Sequence, residues 1–193
     1  MDTEALDRER EYWLRRLEAT GRAQGRYLWV LFLAGIFYAA LRVGPVENQF
    51  INVPIVDLRL DRLTVLASGA PVMAFLVLVV MGAIRAWTRA AEQVRGEAPA
   101  KDVEPLDTYP NAIDLAMYTT SDSPKSVRKL LSFAYPLFLT SALIEVAWLA
   151  LPVVSGPERV VGAWGYLAGV LVLAVPALVL VGTMWKHRIT PPR

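Results

Sequence analysis

Glu145 is the residue of this sequence best placed to do chemistry in an unusual setting, because it lies well inside the apolar run 130–154. A run of this length can cross a hydrocarbon core of about 30 Å, where a carboxylate is costly and is usually paired or functional. Arg42 lies at the outer end of another apolar run, at a depth that would allow an ion pair with Glu145. Such a pair would hold two helices together.

An unpaired Glu145 would have a different role. It would line a cation path, carry a proton or form a ring of carboxylates in an oligomer. A third alternative is a shallow position from which the side chain reaches the outer membrane interface. Thr140 and Ser141 lie five and four residues before Glu145, and Ser141 shares its helical face. These residues alone leave all three roles open.

Three glycines near the start of the last apolar run share one helical face: Gly162, Gly165 and Gly169. The spacing of Gly165 and Gly169 is the small-xxx-small pattern that lets two membrane helices approach closely. This face is therefore predicted to pack against another helix, either of the same chain or of a second copy.

Hydroxyl and basic side chains ahead of the third apolar run form a candidate anion site, made of Thr119, Thr120, Ser121, Ser123, Lys125 and Arg128. Ser123 followed by Pro124 predicts a helix N-terminus, and such an end can bind a phosphate group. Ordinary helix capping explains the same residues without a ligand. The glycine-rich loop of a nucleotide-binding site is not present in the sequence.

The sequence contains few of the residues and motifs that enzymatic catalysis in a membrane requires. The chain has no cysteine and one histidine, His187, beside Lys186 and Arg188. One intramembrane acid cannot assemble the paired aspartates, the serine with a base or the HExxH motif of an intramembrane protease. We therefore expect no catalytic residues, no cofactor and no metal site.

Four apolar runs dominate a chain of 193 residues in which charged residues make up only 20%. We predict one domain, residues 1–193, of all-α polytopic membrane class. Residues 1–26 are predicted to form a cytoplasmic amphipathic helix, and residues 85–129 a cytoplasmic loop. The predicted transmembrane helices are residues 27–46, 63–84, 130–154 and 160–185.

The distribution of lysine and arginine gives the predicted orientation. Sixteen of the 20 lie in the N-terminal segment, the central loop and the C-terminal tail. The other four are Arg42, Arg59, Arg62 and Arg159. The positive-inside rule then places both termini and the central loop in the cytoplasm, and the chain is expected in the cell inner (plasma) membrane. The net charge of +2 reflects this bias and gives no argument for nucleic-acid binding.

Residues 3–24 carry opposite charges four residues apart, which stabilise a helix. These pairs are Glu4–Arg8, Glu11–Arg15 and Glu18–Arg22. An apolar stripe through Trp13 and Leu17 would either dock a partner or rest in the lipid headgroups. Gly21 and Gly25 are predicted to loosen the connection to the first span.

The sequence pattern of residues 50–62 predicts a short extended cap on the outer side of the membrane. Apolar residues alternate first in one phase and then in the other, which indicates two extended pieces around a turn near Val56 and Asp57. Such a cap would pack on the outer ends of the helices.

Several short motifs resemble a four-span bacterial membrane module found at the N-termini of some pentapeptide-repeat proteins of unknown role. They are Val53-Pro54-Ile55-Val56, Leu58, Leu60, Ala70-Pro71, Tyr135-Pro136-Leu137 and Leu151-Pro152. The resemblance covers most of the chain, and no repeat domain is expected after Arg193. It implies the four-span architecture and no activity.

Two functions are compatible with these observations. The first is a non-enzymatic inner-membrane subunit that forms a homo-oligomer or docks a cytoplasmic protein, as a sensor, scaffold or membrane effector. The alternative is a small oligomeric ion or proton channel, or a transporter subunit, that uses Glu145.

Overall fold

The computed structural model describes residues 3–44, 50–53, 58–97, 134–155 and 162–189. These residues form four α-helices and two β-strands. In chain order they are α1 (Thr3–Val43), β1 (Phe50–Val53), β2 (Leu58–Asp61), α2 (Arg62–Glu97), α3 (Ala134–Ser155) and α4 (Ala163–Ile189). The predicted start of the third span near residue 130 lies outside the described residues, as does the candidate anion site of residues 119–128.

Each of the four helices contains a stretch long and apolar enough to cross a membrane. The stretches are Glu11–Val43, Arg62–Ala90, Pro136–Ser155 and Ala163–Lys186. The predicted all-α architecture with four membrane helices is therefore confirmed.

Helix α1 is longer than the prediction. It runs through Gly21 and Gly25 without interruption for 41 residues, about 62 Å at 1.5 Å per residue. The expected loosening at these glycines is wrong. Gly21 is buried, and a methyl group on it would lie 3.7 Å from the indole of Trp87 in α2. Packing against α2 thus compensates for the weak helix propensity of glycine.

The C-terminal end of α1 is closed by groups from two parts of the chain. The backbone N–H of Gly44 donates to the carbonyl of Ala40 at 2.9 Å. The guanidinium of Arg62, the first residue of α2, donates to the carbonyls of Leu41 and Gly44 at 2.5 and 2.7 Å. These bonds satisfy carbonyls that have no partner within the helix, and the positive charge complements the helix dipole.

The two strands form an antiparallel pair in which Phe50 lies opposite Asp61 and Val53 opposite Leu58. This confirms the two predicted extended pieces, whereas the predicted turn lies at residues 54–57, outside the described part. Asp61 also begins α2, because its Oδ2 accepts a hydrogen bond from the backbone N–H of Thr64 at 3.1 Å. This is the bond of an N-capping aspartate.

The chain divides into two compact units. The first contains Met1–Trp29 and Val79–Tyr135, and the second contains Val30–Leu78 and Pro136–Arg193. The first unit, in its described residues, is an antiparallel pair formed by the N-terminal part of α1 and the C-terminal part of α2. The second contains the rest of α1 and α2, the two strands, α3 from Pro136 onward, and α4.

The first unit has a small apolar core. Leu17 and Ala90 are fully buried, with Trp13 and Trp87 packed against them. On the exposed side of α1, Arg15 pairs with Glu11 and Arg22 with Glu18, as the spacing predicted.

The second unit has an extended apolar core along its helices. Its buried side chains include Leu31, Met73, Val77, Leu139, Val146, Leu149, Val153, Val170 and Val181. Many large apolar residues on the opposite faces are exposed, as is expected of helices that contact lipid.

Leu17→Ala should loosen the helix pair of the first unit. The side chain is fully buried, and truncating a buried leucine costs roughly 2–5 kcal/mol. Hydrogen–deuterium exchange in detergent micelles should therefore show faster amide exchange in residues 11–26 and 84–94. Leu33→Ala is the matched control, because Leu33 lies on the same helix but is 59% exposed. Equal acceleration in both variants would contradict this packing.

Candidate functional site

Glu145 of α3 points at the backbone of α1. A methyl group on Gly35 would lie 2.9 Å from Oε2 of Glu145 and 3.5 Å from Cε of Met73 in α2. The first distance is shorter than a normal van der Waals contact. The carboxyl group therefore occupies space that exists because residue 35 has no side chain.

The other carboxyl oxygen, Oε1, is buried and has no hydrogen-bond partner among the described residues. A buried polar group without a partner costs about 1–3 kcal/mol, and more if it is charged. Glu145 is therefore a polar group whose place in the second unit is not explained by stability alone. Such groups within membrane helices are commonly tied to function or to assembly.

The predicted ion pair between Arg42 and Glu145 is not formed in the described part of the chain. The guanidinium carbon of Arg42 instead lies 4.5 Å from the ring centroid of Trp148. Arg42 follows Gly35 by seven residues, about 10 Å along α1, and Trp148 follows Glu145 by one turn of α3. A guanidinium group over an aromatic ring can still donate hydrogen bonds to water, whereas a buried ion pair is removed from water.

The predicted hydroxyl neighbours of Glu145 bond elsewhere. Thr140 donates to the carbonyl of Pro136 at 2.6 Å, and Ser141 donates to the carbonyl of Phe138 at 2.7 Å. Thr140 also accepts a hydrogen bond from Nε1 of Trp185 at 3.1 Å. This last bond links α3 to α4 and was not predicted.

A second glycine contact holds α2 against its neighbours. A methyl group on Gly69 would lie 2.9 Å from Cδ1 of Tyr38 in α1 and 3.1 Å from Cδ1 of Leu149 in α3. The hydroxyl of Tyr38 lies 3.2 Å from Oγ of the adjacent Ser68, within hydrogen-bond distance. Gly69 thus lets side chains of two helices pack on the backbone of a third.

The predicted packing glycines of α4 behave differently. Gly165 and Gly169 lie in the helix, but a methyl group on either would meet no described atom within 4 Å. Gly162 precedes the helix with φ of 91°, and its carbonyl accepts the first hydrogen bond, from Tyr166. Gly162 is therefore a helix-start residue in a left-handed conformation. Within the described chain, the predicted close approach of another helix is not made.

An apolar cavity of about 390 Å³ lies between α3 and α4. Its lining residues are aliphatic and include Ala147, Ala150 and Val154 of α3 with Leu167, Val170 and Ala174 of α4. At about 100° per residue, the α4 side chains of this lining lie away from Gly165 and Gly169. One part of the surface of α4 therefore faces α3, and the glycines face outward.

Sequence reasoning missed Gly35, Gly69 and Trp148. Each glycine interrupts an apolar run, where a missing side chain is a signal of close approach. Trp148 lies near the end of its run, where an aromatic ring commonly meets a basic side chain.

Among the described residues, no group of three or more His, Asp or Glu side chains lies close enough to hold a metal ion.

Gly35→Ala should destabilise the protein by about 1–3 kcal/mol, the usual cost of an added group in a packed position. The cost arises from the contact with Glu145, so the same substitution should cost much less in a Glu145→Ala background. Unfolding in mixed detergent micelles, measured for the single and double variants, gives this comparison.

Gly82→Ala is the control, because its methyl group meets no described atom within 4 Å. It should be neutral or slightly stabilising, since alanine favours a helix more than glycine. A Gly35→Ala cost that is the same with and without the Glu145 side chain would contradict the contact.

Arg42 should be coupled energetically to Trp148 and not to Glu145. A double-mutant cycle of Arg42→Gln with Trp148→Leu should give a coupling of about 0.5–2 kcal/mol, the range of cation–π contacts. The cycle of Arg42→Gln with Glu145→Gln should give a coupling near zero in the same unfolding assay. The reverse result would restore the ion pair that the sequence predicted.

Protein-family models, curated proteins and solved structures contain no match to this chain. The resemblance to the four-span module of pentapeptide-repeat proteins therefore stays a prediction.

Proposed function

We propose that the protein is a non-enzymatic subunit of a bacterial inner membrane that assembles with copies of itself through α4. Both termini lie in the cytoplasm in this proposal, because sixteen of the 20 lysine and arginine residues would then be on the cytoplasmic side. The observation that carries the proposal is the open face of α4 at Gly165 and Gly169.

The burial pattern of α4 supports a contact at this face. Val170, Ala177 and Val181 are buried and turn one side of the helix toward its own chain. Gly165 and Gly169 lie roughly 120° around the helix from that side, with Val172 71% exposed near them. The described part of the chain therefore does not use the glycines for packing.

The bilayer environment explains why such a face favours association. Apolar side chains gain little by leaving lipid for one another, because lipid tails are equally apolar. Two glycines four residues apart allow two backbones to approach closely, which gives van der Waals contacts that lipid cannot match. A second copy of α4 would find the same small residues on its partner, as a symmetric dimer requires.

The alternative function, an ion or proton channel that uses Glu145, has less support. A conducting path needs a series of polar groups around the ion. Oε1 of Glu145 is buried, and Oε2 lies against the backbone of α1 at Gly35. Thr140 and Ser141 bond to carbonyls of their own helix, so they do not extend a polar path from the carboxyl group.

The mass of the purified particle tests the proposal. Light scattering with the detergent contribution subtracted should give more than one chain per particle. Gly165→Leu combined with Gly169→Leu should reduce this to one chain, because the added side chains keep the two backbones apart. The fold should tolerate them, since no described atom lies within 4 Å of either added Cβ.

Gly182→Leu provides the matched control for this experiment. Gly182 lies on the same helix and is equally open, but it is roughly 120° around the helix from the other two. Its particle should keep the mass of the unmodified protein. A monomeric unmodified protein, or an assembly that survives the double substitution, would refute self-association through this face.

A further inference from the structure

We propose that three arginines of the first unit, Arg26, Arg85 and Arg89, bind the phosphate groups of acidic phospholipids. We call these residues the arginine collar. They lie where α1 enters its apolar run and where α2 leaves its own. This binding surface is independent of whether the chain forms an oligomer.

The packing of the first unit brings the collar residues to one level. Gly21 of α1 lies against Trp87 of α2, and Leu17 packs against Ala90, so the two helices are antiparallel. Measured along the pair at 1.5 Å per residue, the three collar residues fall within roughly 11 Å. This depth is comparable to that of a headgroup layer, since headgroup regions bring the bilayer from about 30 to 40–45 Å.

The collar residues face outward. At about 100° per residue, Arg26 lies opposite the side of α1 that carries Leu17 and Gly21. Arg85 and Arg89 lie on the side of α2 away from Trp87 and Ala90 by the same argument. All three side chains are exposed. They therefore surround the helix pair on its lipid-facing sides.

The collar is distinguished from the other described arginine side chains of this unit by its lack of protein partners. In the described residues, Arg26, Arg85 and Arg89 make no ion pair or side-chain hydrogen bond. Elsewhere on α1, Arg15 and Arg22 pair with Glu11 and Glu18. Arg16 bonds the hydroxyl of Tyr12 and stacks on Trp13. Among the arginines of this unit whose side chains the structure describes, the three collar residues are the ones left for an external anion.

The residues beside the collar identify the anion as part of a lipid. Tyr27 and Trp29 follow Arg26 directly, and they are 39% and 63% exposed. Aromatic side chains of this kind lie at the membrane interface, at the level of the headgroups. A guanidinium group there can donate two hydrogen bonds to one phosphate, and acidic lipids add a negative surface potential. A free phosphate ion shares the first interaction but not the second.

The test is the affinity of the full chain, purified in a neutral detergent, for phosphatidylglycerol, with lipid-bound states counted by native mass spectrometry. The variant replaces Arg26, Arg85 and Arg89 by glutamine. Each basic residue near an acidic surface contributes about fivefold in affinity, so the triple variant should bind about 100-fold more weakly. Phosphatidylcholine should bind both proteins weakly and equally.

The matched control replaces Arg8, Arg10 and Arg15 by glutamine, which removes the same charge from the same unit at positions of α1 more than one turn further from its apolar run than the collar. Its affinity for phosphatidylglycerol should stay within about threefold of the unmodified protein. An equal loss in both triple variants, or no loss in the collar variant, would overturn the proposal. So would displacement of the lipid by an equal concentration of inorganic phosphate, which would show that a free anion is preferred. Circular dichroism should show unchanged helix content in both variants. If the collar variant loses helix, the three single substitutions replace it, and each should lower the affinity for phosphatidylglycerol about fivefold.

Discussion

The missing side chain at Gly35 is the constraint on which the arrangement of the second unit depends. Helices in lipid are held by close contact and not by the removal of apolar surface from water. The carboxyl group of Glu145 fills the space beside Gly35, within 2.9 Å of where a methyl group would be. The side chains of Tyr38 and Leu149 fill the space beside Gly69 in the same way. Two absent side chains thus determine how near three helices lie.

The helices themselves could be predicted, because long apolar runs with charges between them have few other structures available. The contacts of Glu145 could not. Counting residues along a span gives the depth of a side chain but not the direction in which the helix is rotated. Depth alone predicts a contact between Arg42 and Glu145, whereas the rotation of the helices brings Arg42 to the ring of Trp148. The continuity of α1 depends on a tertiary contact that the sequence does not show. Gly21 has low helix propensity, but the absence of a side chain there lets Trp87 of α2 pack against the helix.

Glycine has different roles in packing at different positions of this chain. Gly35 and Gly69 receive side chains of neighbouring helices, whereas Gly165 and Gly169 face open space in the described chain. All four lie in apolar runs, so composition does not separate the two groups. The difference lies in the partner helix, and the sequence does not say which helix that is. Gly162 adds a third use, because its left-handed backbone begins α4 and does not pack it.

The capping of α1 by Arg62 has a consequence for the segment between α1 and α2. A residue at the start of one helix is bonded directly to the carbonyls that end the previous one, at Leu41 and Gly44. The two helix ends are therefore fastened to each other by side chain and backbone, and the intervening residues are relieved of that task. Outside the paired strands and the capping Asp61, their length and composition are free to diverge between related chains. Change over evolutionary time should concentrate in that connection and spare the arginine that follows it.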